Sequence, residues 1–234
     1  MRIRVQVAAL LLLSAGVCLA QMDADDPVIL NESRLNESRI FGVIPDFQTV
    51  TDSGHVRPLT AGQKWNLALK ETIDPFNVVN AAMGAAFSQR GNQTPKYGEG
   101  GVNYARRFGA AFADFGTQNF FSAGLLATVL HQDPRYYRKG PGTSVPRRIL
   151  YSVSRLVIAR QDSGAAAFNA SGIGGMMMGI AASNLYYPAA SQRGCVMTGR
   201  ISTSLTGGIM GNLMSEFWPD LQKKFFHKHS KTSD

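Results

Sequence analysis

Apolar residues recur at helical spacing along most of the chain, from about residue 59 onward. Thr60 and Gln63 have the spacing of a capping box, in which each side chain bonds the other residue's backbone N–H. Asp74 followed by Pro75 is a start signal for the next helix, because proline suits the first helical position. Gly91 then marks the end of that helix. The pattern therefore predicts two successive helices.

Four further segments have helical patterns: about 101–130, 147–160, 165–187 and 190–217. The second of these places arginines on one side and apolar residues on the other, namely Arg148 and Arg155 against Ile149, Val153, Leu156 and Val157. No β-hairpin signal occurs after the N-terminal arm. We therefore predict a mostly α fold, a compact bundle of about six helices with an extended N-terminal arm.

Small residues recur every four positions in the last two long segments. A glycine inside a helix costs about 1 kcal/mol relative to alanine, so repeated glycines indicate that something else stabilises these helices. Residues four apart lie on one face, and small ones let two backbones approach closely. We predict that 171–183 and 199–215 form an antiparallel pair. The predicted helix-packing residues are Ser171, Gly175, Gly179, Ser183, Gly199, Thr203, Gly207, Gly211 and Ser215.

The segment from Ser163 to Gln192 carries no charge and admits three interpretations. It is long enough to span a bilayer, which needs about 20 apolar residues, and Tyr186 and Tyr187 suit an interface. Its apolar content is mostly alanine and methionine, which equally suits a helix buried in protein. A ligand groove is the third possibility.

The first twenty residues have the features of a signal peptide. Arg2 and Arg4 precede an apolar run, and Ala20 ends a small-residue site before Gln21. A lipoprotein signal would instead place Cys18 first in the mature chain. Cleavage after residue 20 leaves one cysteine, Cys195, whose role the sequence does not define, and therefore no internal disulfide. The expected divisions are a signal peptide (1–20), an extended acidic arm (21–58), a helical bundle (59–218) and a basic tail (219–234).

Charge is unevenly distributed along this basic chain, whose formal net charge is +8. Acidic residues dominate from 21 to 60, and basic residues dominate from 131 to 162. Export disfavours nucleic acid as the partner of the basic stretch. The expected partner is an anionic lipid or membrane surface, lipopolysaccharide, or the protein's own acidic arm. The candidate contacts are Arg135, Arg138, Lys139, Arg147, Arg148, Lys223 and Lys224.

Catalytic chemistry has one weak candidate, the string "HQDPRYYRKG". His131 and Asp133 could form an acid–base pair, with Tyr137 beside them. The alternative is a helix end, at which Asp133-Pro134 stops the helix and the aromatic and basic residues pack. The chain has four histidines and no H-E-x-x-H motif. We therefore expect neither a metal site nor a cofactor.

Seven distinctive strings lie between residues 39 and 188: "RIFGVIPDFQTV", "DPFNVV", "YARRFGAAFAD", "LHQDPRYYRKGPG", "SRLVIARQDSG", "FNASGIGG" and "SNLYYP". Together they resemble the blocks of an uncharacterised family of exported bacterial cell-envelope proteins. The resemblance implies a bacterial, exported, helical protein, and it carries over no catalytic residue.

The sequence thus favours a non-enzymatic, membrane-associated protein of the cell envelope, located in the periplasm or at the outer membrane. One alternative is an exported enzyme with a cleft around His131, Asp133 and Tyr137. The other is a periplasmic carrier of a lipid or small ligand, with Met176–Met178 lining an adaptable cavity.

Overall fold

The computed structural model describes residues 39–40, 44–45, 49–50, 57–192 and 194–229. The predicted signal peptide, most of the predicted acidic arm and the side chain of Lys223 lie outside the described residues. Where the end of the arm is described, Thr49–Val50 pairs in parallel with Tyr136–Tyr137.

The described part of the chain contains six helices, which confirms the prediction of a mostly α fold. They are α1 (Ala61–Ile73), α2 (Pro75–Gln89), α3 (Gly101–Asn119), α4 (Val145–Ser154), α5 (Ala170–Ser183) and α6 (Gly194–His229). α3 continues through a π-helical stretch, Phe120–Leu126, into a last turn, Ala127–Val129, and Ala189–Ser191 forms a 3-10 turn. α6 runs through Pro219 without ending, so the predicted tail continues this helix as far as residue 229.

Local sequence signals correctly predict where α1 and α2 begin. The Thr60 hydroxyl accepts a hydrogen bond from the backbone N–H of Gln63, and the Gln63 side chain accepts one from the N–H of Thr60, which completes the capping box. The Asp74 carboxylate accepts from the N–H of Phe76 at 2.8 Å and caps α2, whose first residue is Pro75.

Short strands correct the prediction that the body has no β-hairpin. They are β1 (Arg39–Ile40), β2 (Ile44–Pro45), β3 (Thr49–Val50), β4 (Gln132–Asp133), β5 (Tyr136–Tyr137), β6 (Ile158–Gln161) and β7 (Ala166–Phe168). β1 and β2 pair antiparallel, β3 pairs with β5, and β4, β6 and β7 form an antiparallel sheet in which β6 and β7 are a hairpin.

The predicted helix over 147–160 is consequently wrong in its second half. The side-chain amide of Asn169 donates hydrogen bonds to the carbonyls of Arg155 and Leu156, beyond the end of α4. Those carbonyls are therefore bonded outside a helix, and the chain turns into β6. Gly164 has a φ of +89°, which suits glycine, in the turn between the two strands of the hairpin.

The small-residue face of α5 is buried, as expected, but its partner is α3 rather than α6. Ser171, Gly175, Gly179 and Ser183 are all buried. A methyl group added at Gly175 would lie within 3.0 Å of the backbone of Ser122, and one at Gly179 would collide with Gln118. Close backbone approach therefore exists between α5 and the helix that continues α3.

The predicted antiparallel pairing of 171–183 with 199–215 through facing glycines is wrong. A methyl group added at Gly199, Gly207 or Gly211 would meet nothing within 4 Å. α6 contacts α5 through Arg200, whose guanidinium donates to the hydroxyl of Ser183 and to the carbonyl of Ile180. Because a long side chain occupies this contact, the two backbones cannot approach as a small-residue pair.

Candidate functional site

Glu216 of α6 is the centre of a buried polar cluster. Its side chain has no exposed surface. One carboxylate oxygen accepts from the Arg148 Nε at 2.7 Å and from the backbone N–H of Gly140 at 3.0 Å. The other accepts from the Tyr136 hydroxyl at 3.0 Å and from the N–H of Lys139 at 3.1 Å. All four partners are donors, so the site is built for a charged carboxylate.

Asp220, one turn further along α6, extends this cluster. It pairs with the guanidinium groups of Arg138 and Arg148, the latter at 2.6 Å. Partial burial opposes ionisation of Asp220, but the hydrogen bonds from both arginines outweigh it and hold the pKa of this carboxyl below its usual value. Asp220 thus ties this part of α6 to the segment that contains Arg138 and to α4.

Ion pairs within the protein occupy three of the arginines that were predicted to contact an anionic surface. Arg138 and Arg148 are buried, and Arg135 is half-buried against Asp133. Three of the candidate cations are exposed and available to a partner: Lys139, Arg147 and Lys224. The sequence indicates the number of positive charges here, but it does not reveal that carboxylates some seventy residues later neutralise them.

The weak catalytic candidate separates into two parts in the structure. Asp133 accepts from the Tyr137 hydroxyl at 2.7 Å and pairs with Arg135 at 2.7 Å, with its side chain buried. The side chain of His131 is 84% exposed, and its nearest acid is Asp162, at 3.8 Å from Nδ1. Within the described residues His131 and Asp133 therefore do not form an acid–base pair.

The electrostatics of Asp133 also fit a structural role. Burial opposes its ionisation, but hydrogen bonds from Arg135 and Tyr137 hold its pKa below the usual value. Burial and the hydrogen bond to Asp133 raise the pKa of Tyr137 to about 12. A charged carboxylate and a neutral phenol are stable partners at neutral pH, and neither is prepared to exchange a proton.

The half-buried carboxylate of Asp114 explains the tyrosine pair of the string "SNLYYP". Both tyrosine hydroxyls donate to Asp114 of α3, Tyr186 to one oxygen and Tyr187 to the other. The guanidinium carbon of Arg200 lies 4.3 Å from the Tyr187 ring centre. Burial raises the pKa of Asp114 even though both tyrosines and Arg200 favour its charged form. The sequence interpretation of these tyrosines as interface residues did not identify Asp114 as their partner.

A cavity of about 370 Å³ lies among α1, α3, α6 and the β4–β6–β7 sheet. Its lining includes Glu71, Asn119, Asn212, Arg155 and Arg160. This volume is at the lower end of the range for small-ligand pockets, about 300–1,000 Å³. Met177 and Met178 are exposed and do not line it, so the methionine-lined carrier cavity is not found there.

Glu71 is the one acid of this cavity with a strongly raised pKa. Burial raises the pKa of Glu71 to about 8, and the negative charge of Asp74 adds to the effect. The sequence interpretation missed this residue. Lys64, Ala68 and Glu71 lie at i, i+4 and i+7 on one face of α1, and the first two are buried. A charged residue on the buried face of a helix was the signal that could have identified it.

This pKa makes stability depend on pH. The ordinary pKa of this carboxyl is 4.5, so from about pH 4.5 to about 8 the folded state retains a proton that the unfolded state has released. Stability therefore falls as the pH rises through this interval, by at most about 1.4 kcal/mol per pH unit. We expect the melting temperature to fall between about pH 6 and about pH 8 and to fall less in Glu71→Gln, which cannot ionise. Parallel curves for the two proteins in thermal unfolding would contradict this assignment.

Helix α4 exposes its apolar side. Arg148 and Ser152 face inward, whereas Ile149 is 44%, Leu150 71% and Val153 38% exposed. Arg147 is exposed on the same helix. The ammonium of Lys139 lies 5.0 Å from the ring centre of Tyr151, so it adds a second cation beside α4. Within the described part of the chain, no helix combines the length and apolar content needed to cross a bilayer.

Comparisons with known proteins give no relative for this arrangement. No match was found among models of protein families, curated proteins or solved structures. The resemblance to an exported envelope family therefore remains a prediction.

Proposed function

We propose that the protein is a non-enzymatic component of the bacterial cell envelope that binds an anionic membrane surface. The contact is made by the outward face of α4, which enters the outer part of one leaflet without crossing it. Export to the periplasm or outer membrane belongs to the same proposal and rests on the signal-peptide pattern and the family resemblance.

The observation that carries this proposal is that large charged side chains are buried whereas many large apolar side chains are exposed. Among the described residues, the largest side chains that are almost fully buried include Arg107, Lys64 and Glu216. Large apolar side chains lie outside instead, with Phe87 and Leu150 each 71% exposed. Full burial of such a side chain stabilises by about 1.5–3 kcal/mol. In water this surface is unfavourable, and contact with lipid would bury it.

The charge of α4 favours lipid over a protein partner. Neither α4 nor the preceding segment 139–144 contains an acidic residue. Arg147 and Lys139 therefore flank an apolar face with unopposed positive charge, the arrangement found in helices that lie on anionic membranes. Each cation near such a surface contributes about 1 kcal/mol.

We expect Leu150→Glu to weaken binding to vesicles containing phosphatidylglycerol at least tenfold. The change removes an apolar group from the contact and places a negative charge next to anionic lipid. Co-sedimentation of the purified protein with these vesicles measures the effect. Arg147→Gln should weaken binding less than Leu150→Glu does. The difference between Arg147→Gln and the unchanged protein should shrink as the salt concentration is raised, because salt screens the charge of Arg147.

Val102→Glu is the matched control, because Val102 is 70% exposed and lies on α3, outside the proposed contact. It should bind vesicles as the unchanged protein does. Equal losses in Leu150→Glu and Val102→Glu, or an unchanged protein that does not bind anionic vesicles, would refute the role of α4.

A further inference from the structure

Two arginines in the cavity have no carboxylate partner, unlike the other arginines of this region. Arg135, Arg138 and Arg148 all form ion pairs. Among the described residues, neither Arg155 nor Arg160 has an acid within ion-pair distance. Both side chains line the cavity, so their positive charges lie at its wall.

Both guanidinium groups lie over aromatic rings, which orient them. The guanidinium carbon of Arg155 lies 4.7 Å from the ring centre of Tyr151, and that of Arg160 lies 4.3 Å from the ring centre of Tyr137. Contact with a ring face orients a guanidinium without using its donors. The two side chains are therefore positioned for a ligand that accepts several hydrogen bonds.

The remaining charges of the cavity do not neutralise them. Asp133 lines the cavity, but its carboxylate is used by Arg135 and Tyr137. Glu71 forms no hydrogen bond through its carboxyl group with any described residue, and at neutral pH it retains its proton. The cavity thus offers two positive charges, together with the amide groups of Asn119 and Asn212 on its wall.

We propose that this cavity binds a phosphate group through Arg155 and Arg160. A phosphate monoester carries a charge close to −2 at neutral pH, which matches the two guanidinium groups, and its oxygens suit their N–H forks. The protonated carboxyl of Glu71 supplies one more donor. The phosphate belongs either to a small soluble ester or to a lipid headgroup, and in both cases the recognised chemistry is the same.

Titration calorimetry with inorganic phosphate and with glycerol 3-phosphate tests the soluble source. Vesicles containing phosphatidic acid, compared with phosphatidylglycerol vesicles of equal charge, test the lipid source, because α4 is expected to bind both kinds of vesicle. We expect Arg155→Gln and Arg160→Gln each to weaken binding at least tenfold for whichever source binds. Arg106→Gln is the matched control, since Arg106 is exposed and its side chain donates a hydrogen bond to Asn103. It should leave binding unchanged.

A pH series keeps the proposal testable if an arginine variant fails to fold. Binding should weaken as the pH rises from about 7 to about 9, because Glu71 becomes an anion beside the phosphate. Glu71→Gln should remove this weakening. The other ionisable groups that line the cavity are Asp133, Arg135, Tyr136, Tyr137, Arg155 and Arg160. Asp133 and the two tyrosines have pKa values shifted away from this interval.

Three results would overturn the proposal. The first is that no phosphate probe and no phosphatidic acid vesicle binds the unchanged protein. The second is that folded Arg155→Gln and Arg160→Gln bind as the unchanged protein does. The third is that binding has the same pH profile in Glu71→Gln. Leu150→Glu, which tests the membrane face, leaves the cavity intact, so failure of the proposed function and failure of this inference are distinguishable.

Discussion

Replacing Glu216 by glutamine is expected to destabilise the fold by about 3–5 kcal/mol, the range for breaking a buried ion pair by removing one partner. Both oxygens of this carboxylate receive hydrogen bonds from donors. The NH2 group of the glutamine amide would face hydrogen-bond donors, to which it cannot bond. Arg148 would remain buried without its full counter-charge. Thermal and chemical unfolding measure the loss, which corresponds to a fall in melting temperature on the order of 10 °C for a chain of this size.

Glu99→Gln provides the same chemical change at an exposed position. Surface substitutions of this kind stay within about 0.5 kcal/mol. If Glu216→Gln unfolds at the same temperature as Glu99→Gln, the buried cluster contributes nothing to stability. The loss of a carboxylate with four donors would then have to be compensated in some other way, and the structural role assigned to Glu216 would be wrong.

The features that sequence patterns predicted correctly depend on neighbours in the chain. The capping box at Thr60 and the cap at Asp74 involve residues at most three positions apart. The four-residue spacing from Ser171 to Ser183 likewise predicts a single buried face, because the geometry of one helix determines which residues share a face. These interactions need no knowledge of the tertiary fold.

The ion pairs that were missed and the helix end that was wrong depend on partners far away in the chain. The ion pairs of Arg148 involve residues 68 and 72 positions later, so a local pattern cannot distinguish a buried arginine from a surface one. The helix α4 gives way to a strand because the side-chain amide of Asn169 donates a hydrogen bond to the carbonyl of Arg155, fourteen residues earlier in the chain. Distance along the chain, rather than weak periodicity, separates these errors from the correct predictions.

The choice of partner for α5 has a similar cause. A face of small residues can accept any other helix that presents a small residue or exposed backbone, so the spacing alone does not select α3 over α6. Ser122 provides the close approach at Gly175. On the other side, the long side chain of Arg200 reaches Ser183 and keeps α6 at a greater distance.

Gly175→Ala is therefore expected to destabilise the protein by about 3 kcal/mol, the upper end of the usual range for overpacking. The added methyl group would lie within 3.0 Å of the N and Cα atoms of Ser122, and these backbone atoms cannot move without displacing the helix to which they belong. This clash outweighs the gain of about 1 kcal/mol that alanine gives over glycine inside a helix. Denaturant unfolding measures the difference.

Gly207→Ala makes the same change in α6, where an added methyl group meets nothing within 4 Å. Because only the helix preference remains, this variant should gain up to about 1 kcal/mol. The two substitutions are thus expected to shift stability in opposite directions, although the sequence assigns both glycines to equivalent packing positions. Equal shifts, or a Gly175→Ala variant as stable as the unchanged protein, would contradict the close contact between α5 and the continuation of α3.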